Sequence, residues 1–303
     1  MFSYRHAFHA GNHADVLKHT TLLATLRHMV LKDTAIHFFD THAGAGLYRL
    51  DGDYAQTSGE ASHGYLQLIS GNPGDNAAKE KEIAPALQDY LSLVASFNTG
   101  GGHKVYPGSP FIIQRILRDR DRLRLFELHP TDAKTLKANV AQLDAGRLVT
   151  VMREDGFDGL KKFLPPPSRR ALVLCDPSYE LKTDYGRVLD MMVDALKRFA
   201  TGTYLIWYPI IPRPEAHDLP RKLKTLATRE GRAWLNATLT VKSSKLERSD
   251  EGDLVRPGLP ASGMFVVNPP HTLKASMTAT LKQVAESLAQ SSHSTFTVES
   301  GGH

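Results

Sequence analysis

The sequence predicts an α/β protein: a Rossmann-like, doubly wound, mostly parallel seven-stranded sheet with a small helical insertion after strand one. Three observations carry this expectation. Short apolar runs recur along the chain. Stretches with helical spacing lie between them. One long interval without a good strand interrupts the alternation.

Residues 36–40 form the first strand candidate, after helical periodicity over 16–31. The second to fifth strand candidates are 123–127, 148–152, 171–175 and 203–208. Residues 235–241 and 264–267 complete the seven, the last as an antiparallel partner. Helical spacing fills 111–117, 132–143, 185–199 and 221–230. In residues 51–102, apolar groups such as Ile83, Leu87, Leu91 and Val94 recur at helical spacing, and Gly-rich turns bound the second of two helices. The expected division is therefore 1–50 with 103–285 as the main domain, 51–102 as a helical insertion, and 286–303 as a disordered tail, because the end of the chain is rich in Ser, Gly and His.

Composition narrows the class. Of 303 residues, 41% are hydrophobic and 23% charged, an ordinary globular balance. The one cysteine, Cys175, permits no internal disulfide framework and no Cys-rich zinc site, which fits a reducing, cytoplasmic setting. No segment approaches the roughly 20 apolar residues of a membrane span, and no apolar run follows the N-terminus, so neither a membrane nor a signal peptide is expected. A net charge of +5 suits a polyanionic partner. Basic residues in 115–124, 161–170 and 213–232 are candidates for an RNA-facing surface, although such runs are more often solvated faces. Arg169-Arg170 is the poorer candidate because it precedes strand four.

The richest stretch is Ala171 to Glu180, an apolar strand ending in Asp176-Pro177-Ser178-Tyr179. Ligands in open α/β sheets bind at the carboxyl ends of strands. There Asp176 and the Pro177 carbonyl can accept hydrogen bonds from an exocyclic amine, and Tyr179 can stack on a base. The same residues also fit a plain Asp-Pro turn. Other strand ends carry compatible groups. Gly44 and Gly46 allow close ligand approach after strand one. Glu127 suits ribose hydroxyls after strand two, and Asp155 an adenine amine after strand three. With no third phosphate-facing glycine and no Walker pattern, an adenosyl ligand fits better than NAD or ATP. His9 and His13 have a spacing that zinc uses on helices, but Gly11-Asn12 argues against a helix there, and no metal is expected.

These residues resemble the S-adenosylmethionine-dependent methyltransferases of the Rossmann-like class, whose Asp/Asn-Pro-Pro-Tyr motif serves amino-group methylation. The resemblance extends further, through the run from Tyr4 to His19, Asp40 to Gly46, Tyr106 to Pro110, Glu127 to Pro130, Lys182 to Tyr185 and Ala261 to Met264. On these motifs the chain looks like a member of the 23S ribosomal RNA adenine-N6 methyltransferase J family, which modifies adenine 2030. The resemblance covers residue 1 to about 270. It implies S-adenosylmethionine as cofactor, bound at His19, His42, Ser109, Glu127, Asp155, Gly156 and Asp176, and Asp176 as the catalytic acid. It implies Tyr4, His6 and Lys18 as RNA contacts. The expected partner is 23S ribosomal RNA free of ribosomal proteins, and the expected state a monomer. A DNA adenine-N6 methyltransferase and a non-catalytic RNA-binding protein are the rival readings; an NAD-dependent oxidoreductase is the remote one.

Ser178 departs from the family motif, which has a second proline there. Serine gives up the fixed φ but leaves Asp176, Pro177 and Tyr179 in place. Ser178→Pro is expected to preserve methyl transfer, and complete loss of activity in a methylation assay would show that this turn has been misread.

Overall fold

Apolar residues line both faces of the central strands, so the sheet must be covered by helices on two sides. The computed structural model describes residues 6–71, 82–143, 145–245, 247–248, 254–255 and 258–302. In chain order the elements are α1 (His13–Met29), β1 (His37–Asp40), β2 (Leu47–Arg49), α2 (Asp53–Ser58), α3 (Tyr65–Ser70), α4 (Pro85–Ala95), β3 (Val105–Pro107) and α5 (Ser109–Ile116). Next come β4 (Arg122–Phe126), α6 (Pro130–Ala141), β5 (Val149–Met152), α7 (Gly156–Leu160), β6 (Ala171–Cys175) and α8 (Thr183–Arg198). The chain continues with β7 (Thr203–Ile210), α9 (Pro214–Arg229), β8 (Trp234–Thr240), β9 (Glu247–Arg248), β10 (Leu254–Val255), β11 (Ala261–Val267), α10 (Leu273–Ser287) and β12 (Thr295–Gly301).

The main sheet has eight strands in the order β12-β8-β11-β7-β6-β1-β4-β5. From β7 to β5 every pairing is parallel, whereas β11 runs antiparallel to both β7 and β8, and β12 antiparallel to β8. The seven expected strands are present, and β12 is an eighth. Residues 295–301, expected in a disordered tail, pair with β8 from Thr295↔Thr240 to Gly301↔Trp234. The physical reason lies in Thr295-Phe296-Thr297-Val298-Glu299, which alternates polar and apolar side chains as an edge strand does. Composition alone hides that period.

Side-chain alternation divides the core in two. Phe38, Leu172 and Leu174 join one apolar cluster with Leu17 and Leu22 of α1 and Met277 and Leu281 of α10. Phe39, Val173 and Cys175 join the other with Val188 and Met192 of α8 and Leu223 of α9. The insertion holds α2, a 3-10 turn at Glu60–His63, α3 and α4, and the antiparallel pair β2 and β3 closes its base. Helix α4 packs against α1 and α10.

Two basic residues from the runs considered for RNA are structural. Arg118 pairs with Asp121 and donates to the carbonyls of Val30, Lys32 and Thr34. Arg170 donates to those of Met29 and Thr34. Together they satisfy free carbonyls at the end of α1 and in the loop to β1.

Gly156 begins α7 directly against the loop after β1. A Cβ there would lie 2.0 Å from the Thr41 carbonyl oxygen, which is backbone and cannot rotate away. Gly156→Ala is therefore expected to destabilise the fold by about 2–3 kcal/mol, measured as a lowered midpoint in urea unfolding.

Candidate active site

The carboxyl ends of β1, β4, β5 and β6 lie on one edge of the sheet and deliver Asp40, Glu127, Asp155 and Asp176. A cavity there is lined by His19, His42, Gly44, Ser109, Glu127, Asp155, Gly156 and Asp176, all expected from the sequence. The fold thus brings together residues spread over more than half of the chain. Gly46 is the exception. Its position falls in the turn but not in the cavity wall. Its φ of 82° is left-handed, and a Cβ would meet Leu136 and Phe111 at 2.8 Å, so Gly46 lets the loop pack on α5 and α6.

The acids hold the loops as well as the cavity. Glu127 accepts from the Gly44 amide at 2.8 Å and the His129 amide at 2.6 Å, locking the glycine turn to the end of β4. Asp40 is fully buried and accepts from the Ser109 hydroxyl at 2.7 Å. Asp155 caps α7 through the Phe157 amide and pairs with Arg187 at 2.8 Å, while Arg187 lies over the Phe157 ring. His42 bonds the Thr41 hydroxyl and packs edge-on to Phe157, and burial pushes its pKa down to about 4. Among residues in this wall, sequence reasoning missed Thr41, Tyr48, Phe157 and Arg187; none of them is a strand-end acid or a glycine.

A second cavity adjoins the first. It is walled by Tyr179, Trp207, Pro209, Ile211, Pro212 and Pro260, among others. His6, Lys18, Asp176 and Ser178 line both cavities and so stand where they meet. Tyr179 is only 3% exposed. Its ring packs on Tyr185 and Trp207, and its hydroxyl donates to the Trp207 carbonyl at 2.6 Å. Its backbone is left-handed at φ 54°, a conformation that non-glycine residues rarely adopt outside strained turns. The Trp207 indole nitrogen is buried with no hydrogen-bond partner among the described residues.

Lys18, expected as an RNA contact, lines both cavities from a buried position. Its side chain is 5% exposed, and its ammonium bridges the carboxylates of Asp15, at 2.9 Å, and Asp176. Burial works against the charge, yet the two carboxylates outweigh it and hold the Lys18 pKa above its ordinary value. Asp15 also accepts from His6 at 3.0 Å and from the Gly11 amide at 2.9 Å. Against the cost of burial, the electrostatic pull of His6 and Lys18 and the hydrogen bond to His6 hold Asp15 well below the usual carboxylate range. Asn12 caps α1 through the Asp15 amide, and Glu60 binds both Asn12 and His9. His13 turns instead to the Leu259 carbonyl, so His9 and His13 do not converge, and no cluster of three metal-ligating residues exists among the described residues. Tyr4 lies outside the described residues. The expected motifs did not mark Asp15 for a role, because nothing about it in the sequence distinguishes it from a solvated helix acid.

The acids give the site a pH signature. Burial raises the Glu127 carboxyl from 4.5 to about 7, against the two amides that favour its charge. The folded protein therefore binds more protons than the unfolded chain between these values. Stability is full below that window and falls as pH rises through it. Replacing Glu127 by Gln is expected to flatten this decline by up to about 3 kcal/mol, seen in unfolding free energies measured from pH 4 to 8. Parallel pH curves for the two proteins would contradict the assignment.

Known proteins resemble this chain over most of its length. The family model described as "RsmJ: Ribosomal RNA large subunit methyltransferase D, RlmJ" matches residues 33–299. The "Ribosomal RNA large subunit methyltransferase J" of Escherichia coli (strain K12) is 39% identical over 277 residues, spanning 91% of this chain and 90% of that protein. Its namesake in Haemophilus influenzae is 38% identical over 300 residues, spanning 99% and 98%. The crystal structure of protein LPL1258 from Legionella pneumophila, 29% identical, superposes with a TM-score of 0.80 over 97% of this chain and 98% of that one. A match along nearly the whole chain, together with the strand-end site, places the protein in the ribosomal RNA large subunit methyltransferase J family of enzymes.

Proposed function

We propose that the protein transfers a methyl group from S-adenosylmethionine to the N6 amine of an adenine in 23S ribosomal RNA, at the position that the family resemblance indicates, adenine 2030. The observation that carries this reading is the meeting of two cavities at Asp176. One has the groups for an adenosyl ligand, and the other has an aromatic and apolar wall suited to a flat base.

The residues of the first cavity fit the donor. Glu127 and Asp155 keep acceptor capacity toward hydroxyls and an amine, the glycine turn permits close approach, and the buried Nε2 of His19 has no hydrogen-bond partner among the described residues. When bound, the donor supplies an electrophilic methyl on a sulfonium. The chain does the rest by placement. Lys18 occupies Oδ2 of Asp176 and leaves Oδ1 without a partner among the described residues, available to accept from the adenine amine. The Pro177 carbonyl offers a second acceptor. Two such hydrogen bonds favour a pyramidal nitrogen whose lone pair points at the methyl. Tyr179 and Trp207 supply the aromatic wall for the base, which has to leave its stack or come from unpaired RNA to present its amine edge. Transfer would join the methyl to the amine nitrogen as its bond to the donor sulfur breaks, and the proton the nitrogen gives up would go to Asp176 or to water. Positioning and electrostatics thus account for the catalysis.

Asp176→Ala is expected to abolish methylation of protein-free 23S ribosomal RNA and, because it leaves Lys18 one carboxylate short, to lower the unfolding midpoint while keeping a native circular dichroism spectrum at the assay temperature. Mass mapping of methyladenine in treated RNA decides the question, with duplex DNA as the competing substrate. Turnover retained by the variant, or methylation of DNA alone, would overturn the reading.

A further inference from the structure

The helical insertion reaches the first cavity through a chain of buried hydroxyls. Tyr90 of α4 and Tyr106 of β3 are both fully buried. Their hydroxyl oxygens are 2.9 Å apart, and the Tyr106 hydroxyl is 2.8 Å from Nδ1 of His19. The His19 ring stacks on that of Tyr106, with centroids 5.6 Å apart. Its other nitrogen, Nε2, is buried without a hydrogen-bond partner among the described residues, and the nearest carboxylate oxygen, on Asp15, is 3.9 Å away.

The direction of this chain decides where its unpaired proton lies. Each phenol has one proton to donate. The Tyr90 hydroxyl has no described acceptor other than Tyr106. Were Tyr106 to donate to Tyr90, the Tyr90 proton would be buried without an acceptor. Were His19 to carry its proton on Nδ1 while Tyr90 donates to Tyr106, the Tyr106 proton would be stranded instead. A buried donor left unpaired costs its full desolvation. Three protons meet two hydrogen bonds, so one proton is left over in every arrangement. Only when Tyr90 donates to Tyr106 and Tyr106 donates to Nδ1 of His19 is it left on Nε2 at the cavity wall, where a ligand can accept it, rather than stranded on a phenol. Burial also keeps His19 neutral, with its pKa near 3. The single imidazole proton then sits on Nε2, at the wall of the cavity.

We propose that Tyr90 and Tyr106 are positioning residues that hold His19 as its Nε2–H tautomer, so that it donates to the carboxylate of the amino-acid arm of the methyl donor. This assignment rests on the reading of the first cavity as the donor site. It gives the insertion a part in donor binding: the relay starts on α4, and its last group faces the ligand.

The test uses the full chain labelled with 15N-histidine. Nitrogen NMR, with His19→Gln to assign the His19 signals, should show Nε2 protonated and Nδ1 as an acceptor. Calorimetry then compares S-adenosylhomocysteine, which has the carboxylate, with 5′-methylthioadenosine, which lacks it. Tyr106→Phe should weaken the first ligand about tenfold and leave the second within about twofold. Tyr90→Phe, the milder change, should weaken the first about threefold and serves where Tyr106→Phe does not fold. A proton on Nδ1 in the unsubstituted protein, equal weakening of both ligands, or no weakening of either would overturn the proposal. Failure of the unsubstituted protein to bind either ligand would defeat the donor-site reading itself, and the NMR result would still decide the tautomer.

Discussion

Much of this structure depends on one buried ammonium. Lys18 lies on α1 between Asp15 of the same helix and Asp176 at the end of β6, and its side chain is almost out of contact with solvent. A buried charge is tolerated only when its partners stay in place, because losing one leaves the others uncompensated in a low-dielectric interior. The ion cluster therefore ties the seating of α1 to the position of Asp176, where the two cavities meet. Asp15 extends the same constraint to the N-terminal segment through His6 and the Gly11 amide. Glu60 extends it to the insertion through His9 and Asn12.

Around this cluster, the sheet edge gathers four carboxylates, and the fold treats them differently. Asp155 and Asp176 have cationic partners in Arg187 and Lys18. Asp40 and Glu127 instead accept from neutral hydroxyl and amide donors, and burial raises their pKa values to about 6 and about 7. The first pair keeps its cationic partners at the cavity wall. The second pair braces the glycine turn and α5. Two adjoining cavities with Asp176 between them are what a transfer between two bound molecules requires, since proximity of the reacting groups removes much of the entropic barrier.

Much of the site could be read from the chain because strand-end chemistry is local. An apolar run followed by an acid needs no tertiary information, and Glu127, Asp155 and Asp176 stand where that rule places them. The rule fails where a residue's role depends on what packs against it. Tyr179 reads as an open stacking platform, yet its ring is packed against Tyr185 and Trp207. Lys18 reads as an RNA contact, and nothing in the sequence shows that its ammonium is buried between two carboxylates. Gly46 reads as a ligand-facing turn glycine, yet it makes room for Leu136 and Phe111. Arg118 and Arg170 read as part of a basic surface and instead bind carbonyls around the end of α1. In the C-terminal segment, the Ser, Gly and His composition outweighed a short alternation that only the exposed edge of β8 turns into a strand.

By itself the sequence determined the alternating α/β architecture, the sheet edge that carries the cavity, the acids delivered there and the family signature, because periodicity and strand-end residues are properties of short segments. Only the tertiary structure decided which polar groups are buried together. It placed Lys18 between two carboxylates, set the two cavities against each other at Asp176, and joined Tyr90 and Tyr106 to His19. Those relations connect residues far apart in the chain, and their strength comes from the exclusion of water, which no local pattern records.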